Sequence, residues 1–242
     1  MRTEPVRFTK GHQSREHAHA WDQLSFAVSG AMTVSTVGAS WFVPSDRAVW
    51  IPVGTVHAEH YHGDVAVRSL YVAPRLARVG RACRTINVSP LLRELIVHAC
   101  RYGALDRRVA EQRHLGAILL DLLAAAPVEP LHLPMPKDAR ALRLAERMLE
   151  APNRSAAISG SGASRRTLER LFARETGLAL GAWRRRLRVL HSLRTLAAGG
   201  SVTEAALSAG YASTSAFIAL FRRELGTTPS RFGQTPGRPL RL

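Results

Sequence analysis

The chain has 242 residues, enough for one large domain or two ordinary ones, and its 46% apolar content excludes wholesale disorder. No apolar run reaches the roughly eighteen residues a membrane span needs, and no apolar stretch follows Met1-Arg2-Thr3-Glu4-Pro5 to act as a secretory signal, so a cytoplasmic location is expected. Net charge is +16, and it is lopsided: residues 1–136 carry 15 basic and 11 acidic side chains, residues 137–242 carry 19 and 7. That excess points the second half toward a polyanion, with nucleic acid the first candidate. Cys83 and Cys100 lack metal-ligand spacing and read as ordinary thiols, with a disulfide left open.

The first half reads as short strands at Leu24–Val28, Met32–Val37, Trp41–Val43, Val49–Ile51 and Val65–Val72. Gly30, Gly38, Pro44, Pro52, Gly54, Gly63 and Pro74 punctuate them, which predicts an all-β sandwich or barrel. His17-Ala18-His19 falls in a predicted strand, where residues two apart face the same way. Gln23 follows four residues later, and Pro52-Val53-Gly54-Thr55-Val56-His57 brings a third histidine behind a proline and a glycine.

These two segments together resemble the short motifs of the cupin fold, a small β-barrel. The resemblance implies metal ligands at His17, His19, Gln23 and His57, with Gln23 standing where metal-binding cupins carry glutamate. Three neutral imidazoles suit Zn, Ni or Fe. The alternative is that the histidines line a ligand pocket, or are remnants, without metal; His60 and His62 read as strand-surface residues, with a role as added ligands left open. Trp21, Phe26, Trp41 and Trp50 either line an apolar effector cavity or fill the core.

From about Ser89 the period becomes helical, giving helices near 89–102 and 107–125. Leu91, Leu95, Leu115 and Leu119 form an apolar stripe that serves either a homodimer or the cover of the sheet. Pro127, Pro130, Pro134 and Pro136 then predict an extended linker. The domains are placed at 1–126, 127–136 and 137–242, the last being all-α with helices near 138–150, 164–174, 181–198, 202–209 and 214–225.

Within that last domain, Ser201 caps a helix faced by Val202, Ala205, Ala206 and Ala209. Gly210 turns the chain, and Ser213 opens a second helix with Phe217, Leu220 and Phe221 inward. This is helix-turn-helix grammar. The run from Ala205 to Phe217, continuing through Arg222-Arg223 to Gly226-Thr227-Thr228-Pro229-Ser230-Arg231-Phe232, resembles the second helix-turn-helix of AraC-family regulators. Ala163 to Phe172 with Glu175-Thr176-Gly177 resembles the recognition helix of the first, and Trp183 to Leu196 the helix joining them.

The resemblance implies two recognition helices in successive major grooves of double-stranded DNA, roughly 34 Å apart. By position, Arg166, Glu169 and Arg170 face bases from the first helix, and Thr214, Ser215 and Ala219 from the second; Arg165, Arg222, Arg223 and Arg231 are assigned to phosphates. One departure stands out: Gly160 and Gly162 fall where the first unit's leading helix ends, which predicts a short or frayed helix over 153–162.

The composite reading is a cytoplasmic transcription regulator, not an enzyme. It has a β-barrel sensing a small-molecule effector of unknown identity or a metal, a homodimeric assembly, and RNA polymerase as a further partner. Its rival is a metal-dependent cupin enzyme with a helical appendage. That reading needs an open metal position and a base, for which Glu59 is the nearby candidate. A non-specific, nucleoid-like DNA binder accounts for the charge but not for the barrel.

Overall fold

The computed structural model describes residues 1–233 apart from 10, 46, 75, 130, 153–160 and 198. A first unit takes in residues 1–36 and 41–132, and a second holds Val37–Ser40 and the described chain from Leu133.

The first unit is a β-sheet with two trailing helices. Its strands are β1 (Arg2–Phe8), β2 (Asp22–Thr36), β3 (Ala39–Pro44), β4 (Arg47–Ile51), β5 (His57–Val72) and β6 (Arg84–Asn87), followed by α1 (Pro90–Ala99), α2 (Ala110–Ala125) and the two-residue β7 (Val128–Glu129). The sheet runs β1-β5-β2-β4-β6-β7, with β3 alongside β2. β1 and β6 escape sequence reading because charged and polar side chains dominate them. β1 is an edge strand, where Pro5 is tolerated.

Two expected turns are absent. Gly30 lies inside β2, where the register against β5 shifts between Ala27 and Ser29 and again between Ser29 and Ala31. Its φ is +76°, and a Cβ there would stand 2.8 Å from the Asp64 carbonyl oxygen. Glycine therefore permits a bulge rather than a hairpin. β5 likewise runs through Gly63. His17-Ala18-His19 is not a strand: only His17 pairs, in an isolated bridge to His57.

The core joins Leu24, Phe26, Trp50, Leu70 and Ile86 of the sheet to Leu92 and Ile96 of α1 and Leu115, Leu119 and Leu123 of α2. The predicted stripe thus covers the sheet, with Leu95 half-buried against the same core. Leu91 points away and is 59% exposed.

The proline-rich stretch is extended, as expected, but it is not a free tether. Val128 and Glu129 pair with Ile86 and Thr85, and a further strand, β8 (His132–Pro134), follows. Leu131, Leu133 and Met135 are buried. Their alternation is a strand period that the prolines mask in the sequence. The division between units falls after His132, inside the stretch placed at 127–136.

The second unit is helical: α3 (Ala139–Glu150), α4 (Arg165–Thr176), α5 (Leu180–Ala197), α6 (Val202–Ser208), α7 (Thr214–Leu225) and α8 (Pro229–Gly233). Of these, α8 alone lies beyond the sequence expectation; it opens on Pro229, whose fixed φ suits a first helical turn. The expected short helix over 153–162 falls largely on residues 153–160, outside the described chain; Gly162 itself adopts φ +76°. Trp183 on α5 is fully buried. Its ring meets Phe172 edge-on at 5.2 Å, and its Nε1 donates to the Pro134 carbonyl at 2.6 Å.

Candidate functional site

The two recognition helices expected in the second unit are built on one repeated pattern. α4 opens on Ser164, buries Leu168, Leu171 and Phe172, and ends on Gly177 at φ +72°. α7 opens on Ser213, buries Phe217, Leu220 and Phe221, and ends on Gly226 at φ +71°. Each of the five pairs is 49 residues apart. Both serines accept a hydrogen bond from the backbone N–H three residues on, which satisfies an orphan donor of the first turn. Both glycines take the left-handed conformation that closes a helix at no Cβ cost. The chain has built one helix twice, with the same inward face.

The outward faces differ. On α4, Arg165, Arg166, Glu169 and Arg170 are all exposed. Arg165 Nε donates to Glu169 Oε1 at 2.9 Å, joining a residue assigned to phosphate with one assigned to a base. On α7, Ser215 and Ala219 are exposed and Thr214 is half-buried. Arg222, Arg223 and Arg231 are exposed as well. Arg170 and its counterpart Ala219 mark the contrast: one face offers hydrogen-bond donors, the other small side chains.

α6 packs against α7 as the sequence grammar requires. Ser201 forms a capping box with Glu204: the Ser201 Oγ accepts from the Glu204 N–H, and Glu204 Oε2 accepts from the Ser201 N–H. Ala205, Ala206 and Ala209 are buried, and Gly210 turns at φ +75°. Small residues let α7 cross closely. Glu175, past the recognition surface, accepts from the Lys137 and Asp138 N–H groups at 2.8 and 2.9 Å and so seats the start of α3.

In the first unit, the structure gathers His17, His19 and His57, whose ligand atoms all lie within 4.8 Å of one another. The His17 and His57 backbones bridge through two 2.9 Å hydrogen bonds. His17 Nδ1 lies 2.8 Å from the Arg15 carbonyl and His57 Nδ1 2.9 Å from the Thr55 carbonyl. A carbonyl only accepts, so both Nδ1 atoms carry the proton, which in a neutral ring leaves Nε2 as the atom that can ligate a metal. The buried Nε2 atoms of His19 and His57 have no hydrogen-bond partner. Burial lowers the pKa of both: the charges of His17 and His57 lower His19 further, and Glu59 opposes the shift at each. Neutral imidazoles with free, converging lone pairs are the donor set a divalent transition metal takes.

Gln23 is 2% exposed and its Oε1 lacks a partner. It sits opposite Tyr71 in the β2–β5 register, and the Tyr71 ring meets His19 edge-on at 5.2 Å. His60 is exposed, and His62 meets Thr33 Oγ1 at 2.7 Å; neither belongs to the three-histidine group. Cys83 and Cys100 are free thiols, and burial pushes each up to about 11, away from thiolate chemistry.

Beside His19 lies a cavity of about 280 Å³ lined by Arg2, Glu4, His19, Trp21 and Tyr71. The Arg2 guanidinium stands 5.7 Å over the Tyr71 ring, and the Tyr71 hydroxyl donates to Glu4 at 3.3 Å. Of the four aromatics considered for an effector pocket, only Trp21 lines this space. Phe26 and Trp50 are wholly buried in the core, and Trp41 is buried on β3 against His132. Arg2 and Glu4 escape sequence reasoning because β1 carries no strand signal of its own; Tyr71 lies on the expected strand Val65–Val72 but belongs to no motif. A larger cleft of about 630 Å³, lined by Asp22, Pro52, Val53, Arg78 and Arg81 among others, does not touch the histidines.

Residues 159–235 match the family described as helix-turn-helix domain, and residues 7–155 match the AraC-like ligand binding domain. The HTH-type transcriptional regulator NimR of Escherichia coli (strain K12) is 35% identical over 220 residues, which is 89% of this chain and 81% of that protein. A probable AraC family transcriptional regulator from Rhodopseudomonas palustris CGA009 is 30% identical over 41% of this chain and 98% of its own, with a TM-score of 0.36. ToxT from Vibrio cholerae covers 96% of this chain and 97% of its own at 12% identity and a TM-score of 0.40.

Proposed function

Because this chain belongs to the AraC-type family of transcription regulators, with an N-terminal ligand-binding domain and a C-terminal DNA-binding helix-turn-helix domain, we propose that it reads an operator with α4 and α7 and senses a ligand through the histidine face of its β-sheet unit. Family membership sets aside the cupin-enzyme reading. The observation that carries the proposal is the repeated helix: Ser164 to Gly177 and Ser213 to Gly226. Two copies of one inward face present two outward faces to successive major grooves.

The faces call for different bases. Arg166 and Arg170 present guanidinium forks, which match the O6 and N7 acceptors of guanine. Glu169 accepts from cytosine N4, with Arg165 holding its carboxylate in place. Thr214, Ser215 and Ala219 are suited to close approach and to the thymine methyl group. Arg222, Arg223 and Arg231 neutralise phosphates, which makes affinity salt-dependent.

In the sheet unit, His17, His19 and His57 hold a divalent ion of the Zn, Ni or Fe class, and Gln23 lies at the same face. Such an ion supplies a Lewis-acid contact for an effector entering the cavity beside His19, where Trp21 and Tyr71 offer aromatic walls and Arg2 a positive charge. The same chain acts as a homodimer in the cytoplasm and meets RNA polymerase at the promoter.

Selection of bound sequences from random duplex DNA at fixed salt tests the proposal. Two enriched blocks about one helical turn apart are expected, G·C-rich under α4. A single block would remove one helix from base reading; no enrichment would overturn operator recognition.

A further inference from the structure

A divalent ion among three neutral imidazoles is held more tightly when negative charge lies nearby, and position 23 does not supply it because Gln23 is an amide. The first unit contains a buried carboxylate with one oxygen left without a partner. Glu59 lies two residues beyond His57 on β5, where burial alternates so that His57, Glu59 and Tyr61 share the inward face. It is 7% exposed. Glu59 Oε2 accepts from the Tyr61 hydroxyl at 2.5 Å, while Oε1 is buried with no partner. No Lys or Arg forms an ion pair with it among the described residues.

A buried carboxylate with one empty oxygen is costly unless a positive charge faces it. The histidine face is where such a charge would arrive, and Glu59 is close enough for its charge to act on both His19 and His57.

We infer that Glu59 is the charge-balancing carboxylate of the histidine site, taking the electrostatic part that a glutamate at position 23 would otherwise play. The inference rests on the metal-binding reading of that site. Glu59 stands outside the group of ligand atoms lying within 4.8 Å of one another, so it is a positioning residue that acts on the bound cation at one remove. Its two oxygens have separate roles. Oε2 is fixed by Tyr61, and Oε1 is left to face a group bound to the cation. The cation class follows from the donors. Imidazoles backed by one outer carboxylate favour Zn²⁺ or Ni²⁺ over Mg²⁺ or Ca²⁺, which demand mostly oxygen ligands.

The test uses the full chain, with Zn²⁺ affinity measured by competition against a chromophoric chelator. Wild type, Glu59→Gln, Gln23→Glu and the double variant are compared, and thermal unfolding of each is followed with and without Zn²⁺. Glu59→Gln is expected to lose about 10- to 100-fold in Zn²⁺ affinity, the range typical of outer-shell partners. Its metal-free form should melt higher than metal-free wild type, because a lone buried charge is gone. Adding Gln23→Glu should restore most of the affinity, since charge returns from the neighbouring strand.

Zn²⁺ binding in Glu59→Gln within twofold of wild type would overturn the inference while leaving the histidine site standing. So would a metal-free form that melts lower with no rescue by Gln23→Glu, the behaviour of a structural residue. Failure of wild type itself to bind Zn²⁺ or Ni²⁺ would overturn the metal reading and the inference with it.

Discussion

Arg170→Ala gives the sharpest test of how the first recognition helix works. Arg170 is exposed on α4 and has no ion pair or side-chain hydrogen bond among the described residues. Its removal should therefore change folding stability by no more than about 0.5 kcal/mol. The substitution also installs on α4 the side chain that α7 carries at the matching position, Ala219, so the helix itself tolerates it. A bidentate contact to guanine is worth about 1–3 kcal/mol of discrimination, or roughly 5- to 150-fold in affinity. The assay is fluorescence anisotropy with the selected duplex and with a scrambled duplex, each over a salt series. Specific affinity should fall by that factor, affinity for the scrambled duplex should hardly move, and base preference should relax at one position in the first block. Equal losses on both duplexes, with the salt slope reduced by about 1, would show that Arg170 meets only phosphate and would refute the assignment.

Other perturbations separate structural from functional contacts. Trp183→Phe keeps the ring against Phe172 but removes the donor to the Pro134 carbonyl; urea unfolding should show a loss of about 1–2 kcal/mol, and no loss would mean water replaces the indole. Ser201→Ala opens the capping box of α6 and should cost about 0.5–2 kcal/mol, with a matching fall in operator affinity only if α6 frays. His57→Ala should abolish Zn²⁺ binding measured by elemental analysis while leaving affinity for the selected duplex, without effector, nearly intact; unchanged metal content would remove His57 from the site. His191 on α5 is pushed down to about 4 by burial, with Arg194 adding to the shift. The unfolded chain takes up a proton near pH 6.5 that the folded one refuses, so stability is full above that value and drains as pH falls toward 4. His191→Gln should flatten that limb of the pH–melting curve, and an unchanged slope would rule His191 out as its source.

The helical half was legible because its signals are local. Ser164, Ser201 and Ser213 cap, Gly177, Gly210 and Gly226 turn, and the Leu and Phe positions between them repeat at helical spacing. All of this lies within a few residues of chain, where propensity and capping act. The β half was less legible because a strand's fate depends on its neighbours. Gly30 reads as a turn, yet β5 lies alongside and absorbs it as a bulge. β1 looks like a charged leader, yet it pairs along its whole length with β5. The proline-rich stretch looks like a tether, yet Val128 and Glu129 find β6.

The same distinction explains what could be seen of the ligand site. His17, His19 and His57 announce themselves by residue type, and imidazoles so spaced have little reason to converge except at a face they share. Glu59 does not. In sequence it is one more acidic residue on a strand, useful to an enzyme reading as a base and otherwise unmarked. Its meaning depends on three facts that no local pattern encodes: burial, an oxygen without a partner, and an amide at position 23 where charge was to be expected. A neutral substitution at a metal site reads as loss when the site is scanned one motif at a time. Once β5 places a carboxylate on the inward face with His57, it becomes a relocation of charge, and the Gln23→Glu rescue asks directly whether the site responds to the charge itself or only to the side chain that carries it.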